Sequence, residues 1–83
     1  MNKEKMFIAR DENGSETAYE MLLVKNVDNN PVIWYTDGTM DADGNQNVFI
    51  STYERETNTF ALNRIENEEF FNKCSEIFLN ENK

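Results

Sequence analysis

Between Met6 and Ile65 the apolar residues fall in short runs with a two-residue alternation, and beyond Glu66 they switch to helical spacing. Met6-Phe7-Ile8-Ala9-Arg10 predicts a first strand, and Asp11-Glu12-Asn13-Gly14 follows it. An Asn-Gly step between two apolar runs signals a hairpin, because both residues tolerate positive φ. A second strand is predicted over Glu16 to Lys25, with Tyr19, Met21 and Leu23 on one face and Ala18, Leu22 and Val24 on the other. Glu20 interrupts the second face, so the end nearer Val24 is expected to be the more buried. Asp28-Asn29-Asn30-Pro31 reads as the next turn, with Pro31 at a strand start where it forfeits no central ladder bond.

Val32-Ile33-Trp34-Tyr35-Thr36 is β-branched or aromatic throughout and predicts a central third strand. A polar loop, Asp37 to Asn45, carries two Asp-Gly steps. Gln46 to Arg55 predicts a fourth strand, with Val48, Ile50 and Thr52 facing one way and Phe49, Ser51 and Tyr53 the other. Glu56-Thr57-Asn58-Thr59 is a turn, and Phe60 to Ile65 a short fifth strand.

Phe70, Phe71, Cys74, Ile77 and Phe78 then share one face of a helix expected over 67–80. Asn67 is its candidate N-cap, and Glu66, Glu68 and Glu69 lie near the positive end of its dipole. Lys73 falls on the opposite side. The pattern therefore predicts an α+β domain. An antiparallel β-meander of four to five strands over 6–65 is followed by one C-terminal helix packed on one face. Residues 1–5 read as a flexible polar tail, the whole of 1–83 as a single domain, and no internal repeat is visible.

Composition narrows the chemistry. A chain of 83 residues buries only about 60% of its unfolded surface, which leaves a thin core and no room for a large internal cofactor. Sixteen acidic against eight basic residues give a net charge of -8, which repels phosphate backbones and anionic lipids. Direct binding of nucleic acid or membrane is not expected; the charge suits a basic partner, a cation or plain solubility. Cys74 is the only cysteine and there is no histidine, so no internal disulfide forms and a reducing, cytoplasmic setting is expected. The longest apolar runs, Met21-Leu22-Leu23-Val24 among them, fall far short of the roughly 20 residues of a membrane span, and no signal-peptide run follows the charged N-terminus.

Without histidine no Ser-His or Cys-His pair can be built within the chain, and Cys74 on the apolar stripe reads as a small buried hydrophobe. No phosphate-binding glycine loop and no zinc ligand cluster is present, so the expectation is a protein that is not an enzyme and takes no cofactor. Asp37, Asp41 and Asp43 raise the question of a divalent cation. Setting Gly44 at the sixth position of an EF-hand loop puts Ile50 at the twelfth, where a bidentate Glu is needed, so an EF-hand is excluded. What remains is a looser site at 37–45, weighed against a solvated loop built on Asp-Gly turns. Trp34, Tyr35, Phe49 and Tyr53 lie on neighbouring strands. One helix covers one face of a sheet, so part of this group is expected on the open face as an exposed patch containing Trp34 or Tyr35. The competing possibility is that these residues fill a second small core.

Further stretches carry a resemblance: Asp11-Glu12-Asn13-Gly14 with Glu16, Tyr19-Glu20-Met21-Leu22, and Val32-Ile33-Trp34-Tyr35-Thr36-Asp37. Thr39, Asp41 and Asp43-Gly44-Asn45 follow, then Val48-Phe49-Ile50-Ser51 with Tyr53, then Leu62, Ile65-Glu66 and Glu68-Glu69-Phe70. Over nearly the whole chain, from about Phe7 to Phe78, it resembles the bacterial family called domain of unknown function 1292, whose members are small acidic proteins. It departs from that pattern at Asn63-Arg64, where an apolar residue and proline are common, at Phe70 for a frequent Trp, and at Trp34 for an aliphatic residue. The resemblance implies a group but no activity and no functional residues. The expected function is a non-enzymatic protein-interaction module whose partner is another protein, a basic one for preference, or a second copy as a homodimer. The alternatives are a nucleic-acid mimic that occupies a basic DNA- or RNA-binding protein, and a weak divalent-cation or small-ligand binder at loop 37–45.

Overall fold

The structure, a computed structural model, describes residues 5–81. Of the predicted tail, residues 1–4 lie outside the described residues and Lys5 is exposed. The strands are β1 (Met6–Arg10), β2 (Glu16–Val27), β3 (Asn30–Thr36), β4 (Phe49–Arg55) and β5 (Phe60–Arg64), followed by helix α1 (Glu68–Glu81). β2 and β3 extend further towards each other than predicted because their turn is only Asp28-Asn29. Both residues take positive φ, 51° and 69°, as a two-residue hairpin of this hand requires. Val27↔Asn30 is then the hydrogen-bonded pair, so at Pro31 the missing N–H points away from β2. Pairing with β4 begins only at Val32↔Thr52, and the proline costs no ladder bond. β4 starts later than predicted, since Gln46 makes only an isolated bridge to Met40.

The sheet is not an open meander. The strands close into a barrel in the order β1-β2-β3-β4-β5. In a meander each strand reverses the last, so the first and fifth point the same way and closure must be parallel. The seam is Ala9↔Phe60 and Arg10↔Ala61. β2 makes the corner: Glu16 to Glu20 pair with β1, and Glu20 to Val27 pair with β3. The register shifts between Met21 and Leu23, so Leu22 is a bulge, which bends the strand and adds twist.

That bulge overturns the predicted faces of β2. Ahead of it Tyr19 and Met21 pack inside the barrel, whereas beyond it Leu23 and Val27 join Leu22 on the helix side. One extra residue flips every later side chain to the other face, which strict alternation does not anticipate. Two apolar clusters result. Phe7, Ala9, Ile33 and Tyr35 fill the barrel, with Tyr19, Met21, Tyr53, Phe60 and Leu62 around them. Val27, Val32, Trp34 and Cys74 form the layer beneath α1, flanked by Ile50, Phe70, Ile77 and Phe78 among others.

β3 serves both clusters, which explains its uninterrupted apolar run: all five residues from Val32 to Thr36 are buried. The expected exposed patch containing Trp34 or Tyr35 is therefore corrected. Trp34 is 0% exposed under the helix and Tyr35 is 8% exposed inside the barrel. The barrel interior is the second core that an open sheet could not have provided.

Helix α1 is fastened at several points. The indole Nε1 of Trp34 donates to the Cys74 carbonyl at 3.0 Å, so the buried ring has a partner for its polar atom. Lys73 Nζ reaches both carboxylate oxygens of Asp28 at 2.8 and 3.0 Å, and Lys25 pairs with Glu81. Both ion pairs are exposed and contribute at most about 1 kcal/mol each. Asn67 caps the helix as predicted, its Oδ1 accepting from Phe70 N at 2.9 Å. Replacing it by alanine leaves that donor without a side-chain acceptor, and Asn67→Ala should lower stability by about 1 kcal/mol in urea unfolding. Phe71, predicted on the packed stripe, is instead 41% exposed, because the stripe that meets the barrel runs through Phe70, Cys74, Ile77 and Phe78.

Candidate binding cleft at the barrel seam

Strand geometry makes the seam incomplete. Glu56 N donates to Thr59 O at 2.8 Å, which fixes the alternation along the β4–β5 hairpin. Ala61 and Asn63 then exchange bonds with β4, while Phe60, Leu62 and Arg64 direct their backbone groups towards β1. β1 pairs with β5 only through Arg10 and then turns away at Asp11. The N–H and C=O of Arg64 thus face the seam with no strand beside them.

A cleft of about 410 Å³ lies there. One wall is the tip of the β1–β2 hairpin (Asp11, Glu12, Asn13, Ser15, Thr17), and the other is Leu62, Arg64, Ile65 and Phe71. Tyr19, Tyr35 and Ser51 also line it, so the cleft opens onto the barrel interior. Its size is at the small end of the roughly 300–1,000 Å³ typical of ligand sites.

The hairpin wall is held by its own polar atoms. Asp11 Oδ1 accepts from Asn13 N and Ser15 N at 2.9 and 3.0 Å, and Gly14 N donates to the Asp11 carbonyl at 3.0 Å. Gly14 has φ +84°, a conformation that a side chain would strain. The same construction recurs at Asp41: its Oδ1 accepts from Asp43 N and Asn45 N at 2.9 and 3.0 Å, with Gly44 at φ +82°. Asp11-Glu12-Asn13-Gly14-Ser15 and Asp41-Ala42-Asp43-Gly44-Asn45 are thus one turn used twice. Five residues with so few identities do not register as a repeat in the sequence.

This turn chemistry changes the standing of the acidic loop. Asp41 orients its own turn, and Asp37 Oδ1 accepts from Thr39 N and Thr39 Oγ1 at 2.9 and 2.6 Å. The Thr39 hydroxyl and then its N–H hold the Asp37 carboxyl below the usual carboxylate range. The structure does not gather Asp37, Asp41 and Asp43, and among the described residues no three or more His, Cys, Asp or Glu side chains converge in a metal-binding group.

At the cleft floor the Tyr35 hydroxyl and Ser51 Oγ are 3.0 Å apart and both residues are buried. Burial raises the Tyr35 pKa above its ordinary 10.0, partly offset by the Ser51 hydrogen bond and reinforced by neighbouring Tyr19. A neutral phenol cannot take the Ser51 proton at pH 7, so Ser51 is not an activated nucleophile. Cys74 is equally unsuited: burial, then the charge of Asp28, pushes its thiol pKa up, with Lys73 opposing. The folded state holds the Tyr35 proton more tightly than the unfolded chain does. Its contribution is complete below the ordinary value of 10.0 and is lost as pH rises through the higher folded-state value. The urea midpoint should therefore fall as pH rises from the ordinary value of 10.0 through the higher folded-state value. Tyr35→Phe should flatten the fall and cost about 1 kcal/mol at neutral pH by leaving Ser51 unpaired.

The four aromatics proposed from sequence end in different places. Trp34 lies beneath α1 and Tyr35 at the cleft floor. Phe49, 39% exposed, lies 5.5 Å from the Tyr35 ring and 6.4 Å from Tyr19, and Tyr53 stacks on Phe60 at 4.9 Å. Of the other exposed apolar residues, Ile8 lies on β1, Val24 on β2, Met40 in the loop before β4, and Phe71 and Leu79 on α1. Sequence reasoning missed Ser51, Leu62, Arg64 and Thr17 as cleft residues. The available signal was the odd number of strands, which makes closure parallel and places the ends of β1 and β5 side by side.

A scan against protein-family models finds none that matches, and searches of curated proteins and of solved structures find no match either. Among the described residues no helix is long and apolar enough to cross a membrane.

Proposed function

We propose that this protein is a non-enzymatic protein-interaction module that receives its partner in the seam cleft, the partner being another protein of basic character. One observation carries this: a cleft of about 410 Å³ lies beside backbone groups of Arg64 that no strand of the barrel satisfies. Exposed strand edges are sites where further chains add. The one serine at the cleft floor faces a neutral phenol, which supports binding over catalysis. The net charge of -8 favours a basic partner and opposes a second identical copy. The single cysteine suits a cytoplasmic setting, and the resemblance to the domain of unknown function 1292 family is held as part of the same proposal.

Thr17 is exposed and lines the cleft on the same face as its cross-strand partner Ala9, so a bulky residue there obstructs the mouth. Proteins retained from a lysate of the source organism by the wild type should be lost on Thr17→Trp, with the far-UV spectrum unchanged. Retention of the same proteins by both forms would exclude the cleft as the binding site.

A further inference from the structure

We propose that the cleft binds an extended, basic segment of the partner as an added β-strand on the free edge of β5; this rests on the interaction-module proposal above and specifies its ligand. The backbone supplies the first reason. Arg64 opposes Ser51 as a non-hydrogen-bonded pair of the β4–β5 ladder, so its N–H and C=O both point into the cleft. An extended peptide satisfies such a donor and acceptor together, and its side chains then alternate between the cleft floor and solvent.

The hairpin wall gives the second. The bonds within Asp11–Ser15 fix the tip in the conformation that leads β1 away from β5, so the barrel cannot close the gap with its own chain. Charge gives the third and selects the occupant. Asp11 and Glu12 are exposed and line the cleft against a single cation, Arg64, in a chain of net charge -8. A segment carrying Lys or Arg is attracted by that field, whereas a second copy of this chain is repelled.

The test uses a displayed library of random nine-residue peptides selected on the full chain, followed by synthesis of the best binder. Selected sequences should be enriched in Lys and Arg. Binding should shift the amide resonances of Leu62, Arg64, Glu12 and Thr17. N-methylation at one alternate set of peptide positions should weaken binding about tenfold, and at the other set hardly at all, because only one set faces β5. Arg64→Pro removes the N–H that points into the cleft but none that serves β4, and should weaken binding about tenfold more than Arg64→Ala, which keeps it. The ligand-side N-methyl test decides the matter even where Arg64→Pro does not fold.

Indifference to N-methylation at both sets, binders without basic enrichment, resonance shifts confined to another surface, or no binder at all would overturn the added strand. So would a mass that doubles with concentration through the same edge, which would make the occupant a second copy. If Thr17→Trp abolishes partner capture while N-methylation has no effect, the cleft remains a binding site for something other than a strand. If neither matters, both proposals fall.

Discussion

Trp34→Ala should remove most of the stability of this protein. The side chain is fully buried, it is the largest such residue, and it is the centre of the layer between barrel and helix. Truncating a buried Trp costs about 3–5 kcal/mol from lost transfer energy and the cavity left behind. The substitution also deletes the only side-chain donor to the Cys74 carbonyl among the described residues. At about 0.05–0.15 kcal/mol per residue, a domain of 83 residues has roughly 4–12 kcal/mol in total. Urea unfolding followed by far-UV circular dichroism should show a midpoint near zero denaturant, or a shift of several kcal/mol. Trp34→Phe keeps most of the packing and should cost about 1–2 kcal/mol. A loss below about 1 kcal/mol for the alanine variant would mean that the helix does not depend on this contact.

Phe7→Ala should be comparably damaging for a separate reason. Phe7 lies inside the barrel against Phe60 at 5.2 Å, Tyr35 at 5.9 Å and Tyr19 at 6.0 Å, and it meets Tyr35 edge-on at 89°. Loss of a buried Phe costs about 3–5 kcal/mol, and the edge-to-face contact adds about 0.5–1.5 kcal/mol. Because Phe7 and Trp34 belong to different clusters, milder replacements should combine simply. Phe7→Leu and Trp34→Phe together should lower stability by the sum of their separate effects to within about 0.5 kcal/mol. A large non-additive term would indicate one continuous core and contradict the two-layer packing.

The elements were largely legible in the sequence because local signals specify them. Asn67 and the spacing of Phe70, Cys74, Ile77 and Phe78 mark the helix, and the Asn13-Gly14 and Asp28-Asn29 steps mark hairpins. What was not legible is what depends on distant partners. The bulge at Leu22 has no local signature, yet it redirects Leu23 and Val27 to the helix side. Closure through Ala9↔Phe60 joins residues from opposite ends of the sheet, and without it one of Trp34 and Tyr35 was expected on the open face of the sheet. The pattern of β3 does carry the answer in one respect. A strand apolar at every position from Val32 to Tyr35 must be covered on both faces there, and a barrel with an outer helix covers it so.

The candidate site was hidden for the same reason. Acidic residues and aromatics draw attention by composition, whereas the cleft is made by where a strand stops pairing. Asp41, weighed in the sequence as a cation ligand against a turn residue, is a turn former. Arg64 looked like an ordinary strand residue, and only its position past the end of β1 leaves its backbone without a neighbour.

The closed barrel with an incomplete seam is tested most directly by backbone amide hydrogen exchange, read residue by residue by NMR. The N–H groups of Arg10 and Phe60 should exchange slowly because the parallel seam protects them, Asn63 should be slow through its bond to β4, and Arg64 should exchange fast beside it. Fast exchange at Arg10 and Phe60 would mean an open meander with free edges, and slow exchange at Arg64 would mean that the edge assigned to a partner is already occupied.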